Sequence, residues 1–233
     1  MAEWLWDAAR ATYLKADRED RLPPARIGEL RREFVAALKP EVAGLAKQLA
    51  EGTIEVAAWE GAMARITQAG FLAQSLLGRG GLNAATPADA ERWNAQWAAQ
   101  REYLAAWGQE LAAPGGLETV TADGIAARGN LYLAAGNATF EAARAAAMGV
   151  PDLPQYPADG SQECLSNCQC SWDIQETEDG WECTWRLEDA AKHCETCQAN
   201  AEQWSPLFIP REGGAEPSEP DTAPVLALNG EGA

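Results

Sequence analysis

All six cysteines and the single histidine of this chain fall between Cys164 and Cys197. They are spaced Cys-x3-Cys-x-Cys (Cys164, Cys168, Cys170), then Cys183, then His193-Cys194-x2-Cys197. Thiolate and imidazole are the ligands zinc takes in tetrahedral structural sites, and two such clusters flanking a hairpin-like stretch signal one of these sites. The expected ligands are two from Cys164, Cys168 and Cys170, together with Cys194 and Cys197. Cys183 falls mid-strand and reads as a buried hydrophobe. His193 directly precedes Cys194, so it reads as a helix cap, with ligation as the alternative. Four thiolates leave no open position, so the expected zinc is structural rather than catalytic. Disulfide pairing is the competing reading, because six is an even number.

Other chemistry finds less support. Gly78-Arg79-Gly80-Gly81 is glycine-rich, but it sits at a helix end and lacks the Gly-Lys-Ser/Thr of a phosphate-binding loop. Cys194-Glu195-Thr196-Cys197 has the spacing of a thiol oxidoreductase, yet hairpin and tail flank it instead of a βαβ unit. No catalytic constellation is visible, and the chain is expected not to be an enzyme. Charge narrows the partners. Residues 1–150 carry 15 Lys/Arg against 18 Asp/Glu, whereas residues 151–233 carry 3 against 17. Such an acidic balance argues against strong nucleic-acid binding, which needs clustered cations. The N-terminus lacks the basic and apolar regions of a secretory signal, and no run of 18 apolar residues offers a membrane span. The expectation is a soluble protein made in a reducing cytosol, where clustered cysteines favour metal.

The cysteines need elements to hold them. Cys170, Trp172 and Ile174 alternate with polar residues, as do Trp181, Cys183, Trp185 and Leu187 after the turn Glu178-Asp179-Gly180. That is a β-hairpin with one buried face. The register expected pairs Ile174 with Trp181, Trp172 with Cys183 and Cys170 with Trp185. Cys194 and Cys197 then open a short helix running toward Trp204, in the order of a treble-clef zinc finger. Pro151–Pro157 is a proline-rich link to the preceding part.

Residues 1–150 read as a bundle of five or six helices. A first short helix is expected around Trp4–Asp17. A second follows Pro23-Pro24, with Ile27, Leu30, Phe34 and Leu38 on one face. Pro40 should kink or restart it, with Val42, Leu45 and Leu49 continuing the stripe to Gly52. Thr53 is the expected cap of the next helix, whose Trp59, Met63 and Ile66 face inward. Thr86-Pro87-Ala88-Asp89 is a strong helix start, leading to Trp93, Trp97, Leu104 and Leu111 along one side. Thr121 caps one long alanine-rich helix reaching Met148. The fold class is thus mainly α: a helical domain over 1–150, an α+β treble-clef-like zinc module with one hairpin over 151–210, and a disordered acidic tail over 211–233.

Taken in order, the chain resembles the head morphogenesis proteins of tailed phages, the minor head (minor capsid) proteins often encoded beside the portal. Four stretches carry the resemblance. They are Gly52-Thr53-Ile54 through Met63, Leu77–Gly81 with Thr86–Asp89, and Ala127–Tyr132. The fourth is Tyr156–Gly160 through Cys164–Trp172, completed by His193–Cys197 and Trp204–Leu207. The chain lacks the closing histidine motif of the better-known branch. The resemblance implies a structural protein of the virion, present in the host cytoplasm during assembly. It implies a structural role in the procapsid or at the head–tail vertex, packing on portal or major capsid protein, and allows an oligomer in the virion; the lack of an apolar span is what sets aside a membrane partner. The alternative is a cytoplasmic zinc-finger interaction module outside any virion.

Overall fold

The computed structural model describes residues 4–7, 12–15, 21–189 and 191–211. The acidic tail expected over 211–233 lies outside them from residue 212 onward. The fold is mainly helical, with a small α+β module holding the cysteines. No helix among the described residues is long and apolar enough to cross a membrane.

The chain opens with an antiparallel meander rather than the expected helix: β1 (Trp4–Asp7), β2 (Thr12–Lys15) and β3 (Arg21–Leu22). Tyr13 explains why. It is fully buried on β2 and packs with Ile27 and Phe140, a contact made with residues far along the chain. Helix α1 (Pro24–Ala50) follows, starting with proline in its first turn, and it runs continuously through Pro40 instead of restarting there. Its inner face buries Ile27, Val42, Ala46 and Leu49. Thr53 does not cap the next helix. Its hydroxyl and amide both donate to the Gln48 carbonyl, closing α1 behind Gly52, which takes the left-handed φ of +68°. Helix α2 (Val56–Arg79) is capped at Glu55 without a side-chain bond.

The glycine run after α2 is a helix terminator. Gly80 is left-handed, and Gly81 N–H reaches back to the Leu76 carbonyl at 2.7 Å. Helix α3 (Pro87–Ala112) begins with a capping box, Asp89 N–H donating to Thr86 Oγ1 and Thr86 N–H to Asp89 Oδ2. Its tryptophans form core. Trp107 meets Trp59 edge-on at 4.8 Å and stacks on Tyr132 at 6.0 Å.

The long helix expected to reach Met148 is two helices, α4 (Ala122–Ala134) and α5 (Asn137–Ala147). Gln74 of α2 explains the break. Its buried amide donates to the Leu133 carbonyl at 3.1 Å, and a Cβ on Gly136 would lie 2.0 Å from its nitrogen. The Leu133 carbonyl, which in a continuous helix would accept from the residue four on, is shared here between the Gly136 amide at 3.3 Å and this side chain from a neighbouring helix. Helix α5 runs close against α2, because Gly78 lets the Phe140 carbonyl approach where a Cβ would sit 2.3 Å away.

The cysteine module is a three-stranded antiparallel sheet, β4 (Ser171–Glu176), β5 (Gly180–Arg186) and β6 (Leu207–Pro210), with α6 (Glu195–Gln203) between the last two strands. The sequence signal showed the hairpin and missed β6. The register also differs: Trp172 pairs with Trp185, Ile174 with Cys183, and Glu176 with Trp181. The shift is two residues, so the parity is kept and the same side chains are buried. The turn is tighter than expected, with Thr177 and Gly180 already bonded to each other. Trp172, Trp185 and Trp204 form the module's centre, with ring centroids 5.2–5.8 Å apart. Val150 and Leu153 join this core, so the proline-rich segment is packed in.

Candidate metal centre

Three local structures converge on the site. Cys164 precedes a 3-10 turn (Leu165–Asn167) and Cys168 ends it. Leu165 takes a left-handed φ of +48°, which curls the loop so that both sulfurs face the same side. Cys170 leads directly into β4. Cys194 is the N-cap of α6 and Cys197 lies in its first turn.

The sulfurs of Cys164 and Cys197 are 3.7 Å apart, and those of Cys168 and Cys197 are 3.6 Å apart. These three lie within 4.8 Å of one another. Four sulfurs bound at about 2.3 Å to one tetrahedral ion sit about 3.8 Å from each other, so the spacing fits a metal. It does not fit disulfides, whose sulfurs lie about 2.05 Å apart, and all six cysteines are free. Cys194 stands beside Cys164 and Cys197, with thiol and amide groups of both in reach. Cys170 stands on the other flank, its sulfur 3.9 Å from His193 Nδ1.

Electrostatics favour a cation here. Burial pushes the Cys164 thiol up to about 12, helped by the neighbouring Cys168 charge. The Cys168 thiol is raised by its bond with Cys170 and by burial, and Cys197 by burial and by the Cys168 charge. Cys194 goes the other way. Burial raises it, but hydrogen bonds from the Cys197 and Cys164 amides and thiols lower it further. Several facing thiols resist becoming anions together; a divalent ion among them removes that penalty.

The two remaining donors separate cleanly. Cys183 is fully buried among apolar side chains, opposite Ile174, and burial pushes its thiol up to about 11. His193 does not cap α6, because Cys194 holds that position. Its Nε2 meets the Glu188 carbonyl at 2.8 Å instead.

Sequence reasoning missed how the site is anchored. Asn137, Glu141 and Arg144 sit at i, i+4 and i+7 on α5, one face of a helix. Asn137 Nδ2 donates to the Cys170 carbonyl at 3.2 Å and reaches that of Cys168 at 3.4 Å. Glu141 accepts from Trp172 N–H at 3.3 Å and pairs with Arg144 at 2.7 Å, and Arg144 donates to the Trp172 carbonyl. Burial alone would lower Arg144; facing Glu141, it is raised instead. These three side chains grip the backbone of the Cys-x-Cys segment from the bundle side. The available signal was three polar residues, one turn apart, on an alanine-rich helix. Glu163 adds a carboxylate at the start of α6, accepting from Glu195 N–H at 3.2 Å.

Comparison with known proteins identifies no relative: no family model, no curated protein and no solved structure matches the chain.

Proposed function

We propose that this chain is a minor structural protein of a tailed-phage head, packing on portal or capsid during assembly, with structural zinc in its cysteine cluster. The zinc reading is carried by one observation: Cys164, Cys168 and Cys197 meet at the spacing of a tetrahedral thiolate site. A module of about fifty residues is small even with its tryptophan core, and a metal adds cohesion to the loop and helix that carry the cysteines. The virion reading rests on the resemblance across Cys164–Trp172 and His193–Cys197. It is supported by the grip of α5 on the Cys-x-Cys backbone, which makes the metal site a fastener between two parts of one building block.

Leu165 at the loop tip and Phe208 on the edge strand β6 are exposed apolar side chains on the module, and they favour the second reading, an interaction module outside a virion. Mass spectrometry of purified procapsids and mature particles from the phage that encodes this chain separates the two. The expected result is the chain in particles at a constant ratio to portal. Its absence from both kinds of particle refutes the virion role.

A further inference from the structure

One tetrahedral ion uses four ligands, and this cluster offers six. Cys164, Cys168, Cys194 and Cys197 make one set. Cys170 and His193 are left over, yet they turn toward the same place. A cavity of about 290 Å³ is bounded by Cys164, Cys168, Cys170, Cys197 and His193. A carbonyl only accepts, so His193 Nε2 carries the proton that goes to Glu188, 2.8 Å away. In the neutral ring Nδ1 is then the accepting nitrogen, and Cys170 Sγ lies 3.9 Å from it. An imidazole held by a backbone carbonyl through one nitrogen, with a thiol near the other, is arranged as metal-ligating histidines are.

Cys197 Sγ lies 3.7 Å from Cys164 Sγ and 3.6 Å from Cys168 Sγ. Cys194 opens the helix turn that carries Cys197, and Cys170 follows Cys168 by two residues and lines the same cavity as His193. Cys168 and Cys197, 3.6 Å apart, stand in the middle with donors on both sides. Two tetrahedra that share one edge need six ligands, the number present. The separation of Cys168 and Cys197 suits that shared edge, and a sulfur–nitrogen edge of about 3.6 Å is close to what Cys170 and His193 offer.

We propose that the cluster binds two zinc-class divalent ions bridged by the thiolates of Cys168 and Cys197. Cys164 and Cys194 close one site, and Cys170 and His193 close the other. This rests on the reading that the cluster binds metal at all. Each thiol releases its proton to solvent as its sulfur–metal bond forms, and His193 enters neutral. Two divalent ions with five thiolates leave a net charge of −1, against −2 for one ion with four thiolates. In a strongly acidic module the second ion therefore relieves charge.

The test uses the full chain, purified with zinc and dialysed free of loose metal, its zinc measured against protein by elemental analysis. Two zinc per chain are expected, falling to one in Cys170→Ser and in His193→Ala, and staying at two in Cys183→Ser. One zinc per chain in the unaltered protein overturns the two-ion proposal and leaves the metal reading intact. None overturns both. Cadmium-113 NMR of the unaltered chain checks the shared edge without any variant. Two resonances with cadmium–cadmium coupling through sulfur are expected, and two uncoupled resonances refute the bridge.

Discussion

Replacing Arg144 with methionine tests whether the helical bundle and the cysteine module are fastened as the geometry indicates. The Arg144 and Glu141 side chains are only 8% and 4% exposed and are 2.7 Å apart. Methionine keeps much of the volume but leaves Glu141 a buried carboxylate without its ion-pair partner, still accepting from the Trp172 amide at 3.3 Å and sensing the Arg31 charge. It also strips the Trp172 carbonyl of its donor. Removing one partner of a buried pair costs about 3–5 kcal/mol. For a chain of this length each kcal/mol lowers the melting temperature by about 2–4 °C, so a fall of roughly 6–20 °C is expected. Urea denaturation and thermal melting, both with metal kept saturating, measure it. The double variant Glu141→Gln with Arg144→Met removes the orphaned charge and should recover at least about 1 kcal/mol. A loss below about 1 kcal/mol in the single variant, or a double variant no better than the single one, refutes the fastening argument.

Two further outcomes follow from the same structure. Chelation should abolish the near-ultraviolet signal of the Trp172, Trp185 and Trp204 cluster and open residues 151–211 to protease, while the helical far-ultraviolet signal of α1–α5 largely persists; an unchanged cleavage pattern counts against a structural metal. Gly78→Ala should cost about 1–3 kcal/mol or more, since its Cβ meets the Phe140 carbonyl at 2.3 Å, whereas Gly44→Ala, with nothing within 4 Å, should stabilise by about 0.5–1 kcal/mol; equal effects at the two sites would disprove close packing of α2 on α5.

Much of the helical part was legible because its signals are local. The capping box at Thr86, the proline start of α1 and the glycine stop after α2 each involve residues within one turn of one another. Thr53 misled for an instructive reason: a hydroxyl beside a glycine serves the helix before it as readily as the helix after it. The break between α4 and α5 was invisible because its cause, the Gln74 amide, lies about sixty residues away. Tyr13 likewise takes its strand from Ile27 and Phe140.

The cysteine site divides the same way. Spacing alone determined which residues are soft donors and, through the period of two, which face of the hairpin is buried. It did not determine the register, which moved by two residues, because either pairing buries the same faces and only the tight turn at Thr177–Gly180 chooses between them. Which sulfurs meet was also decided in three dimensions. The curl of the Cys164–Cys168 loop, the start of α6 and the hold of α5 on the Cys-x-Cys backbone together set those distances. Ligand type is a property of single residues, but ligand convergence depends on contacts between segments some thirty residues apart, and only packing supplies those.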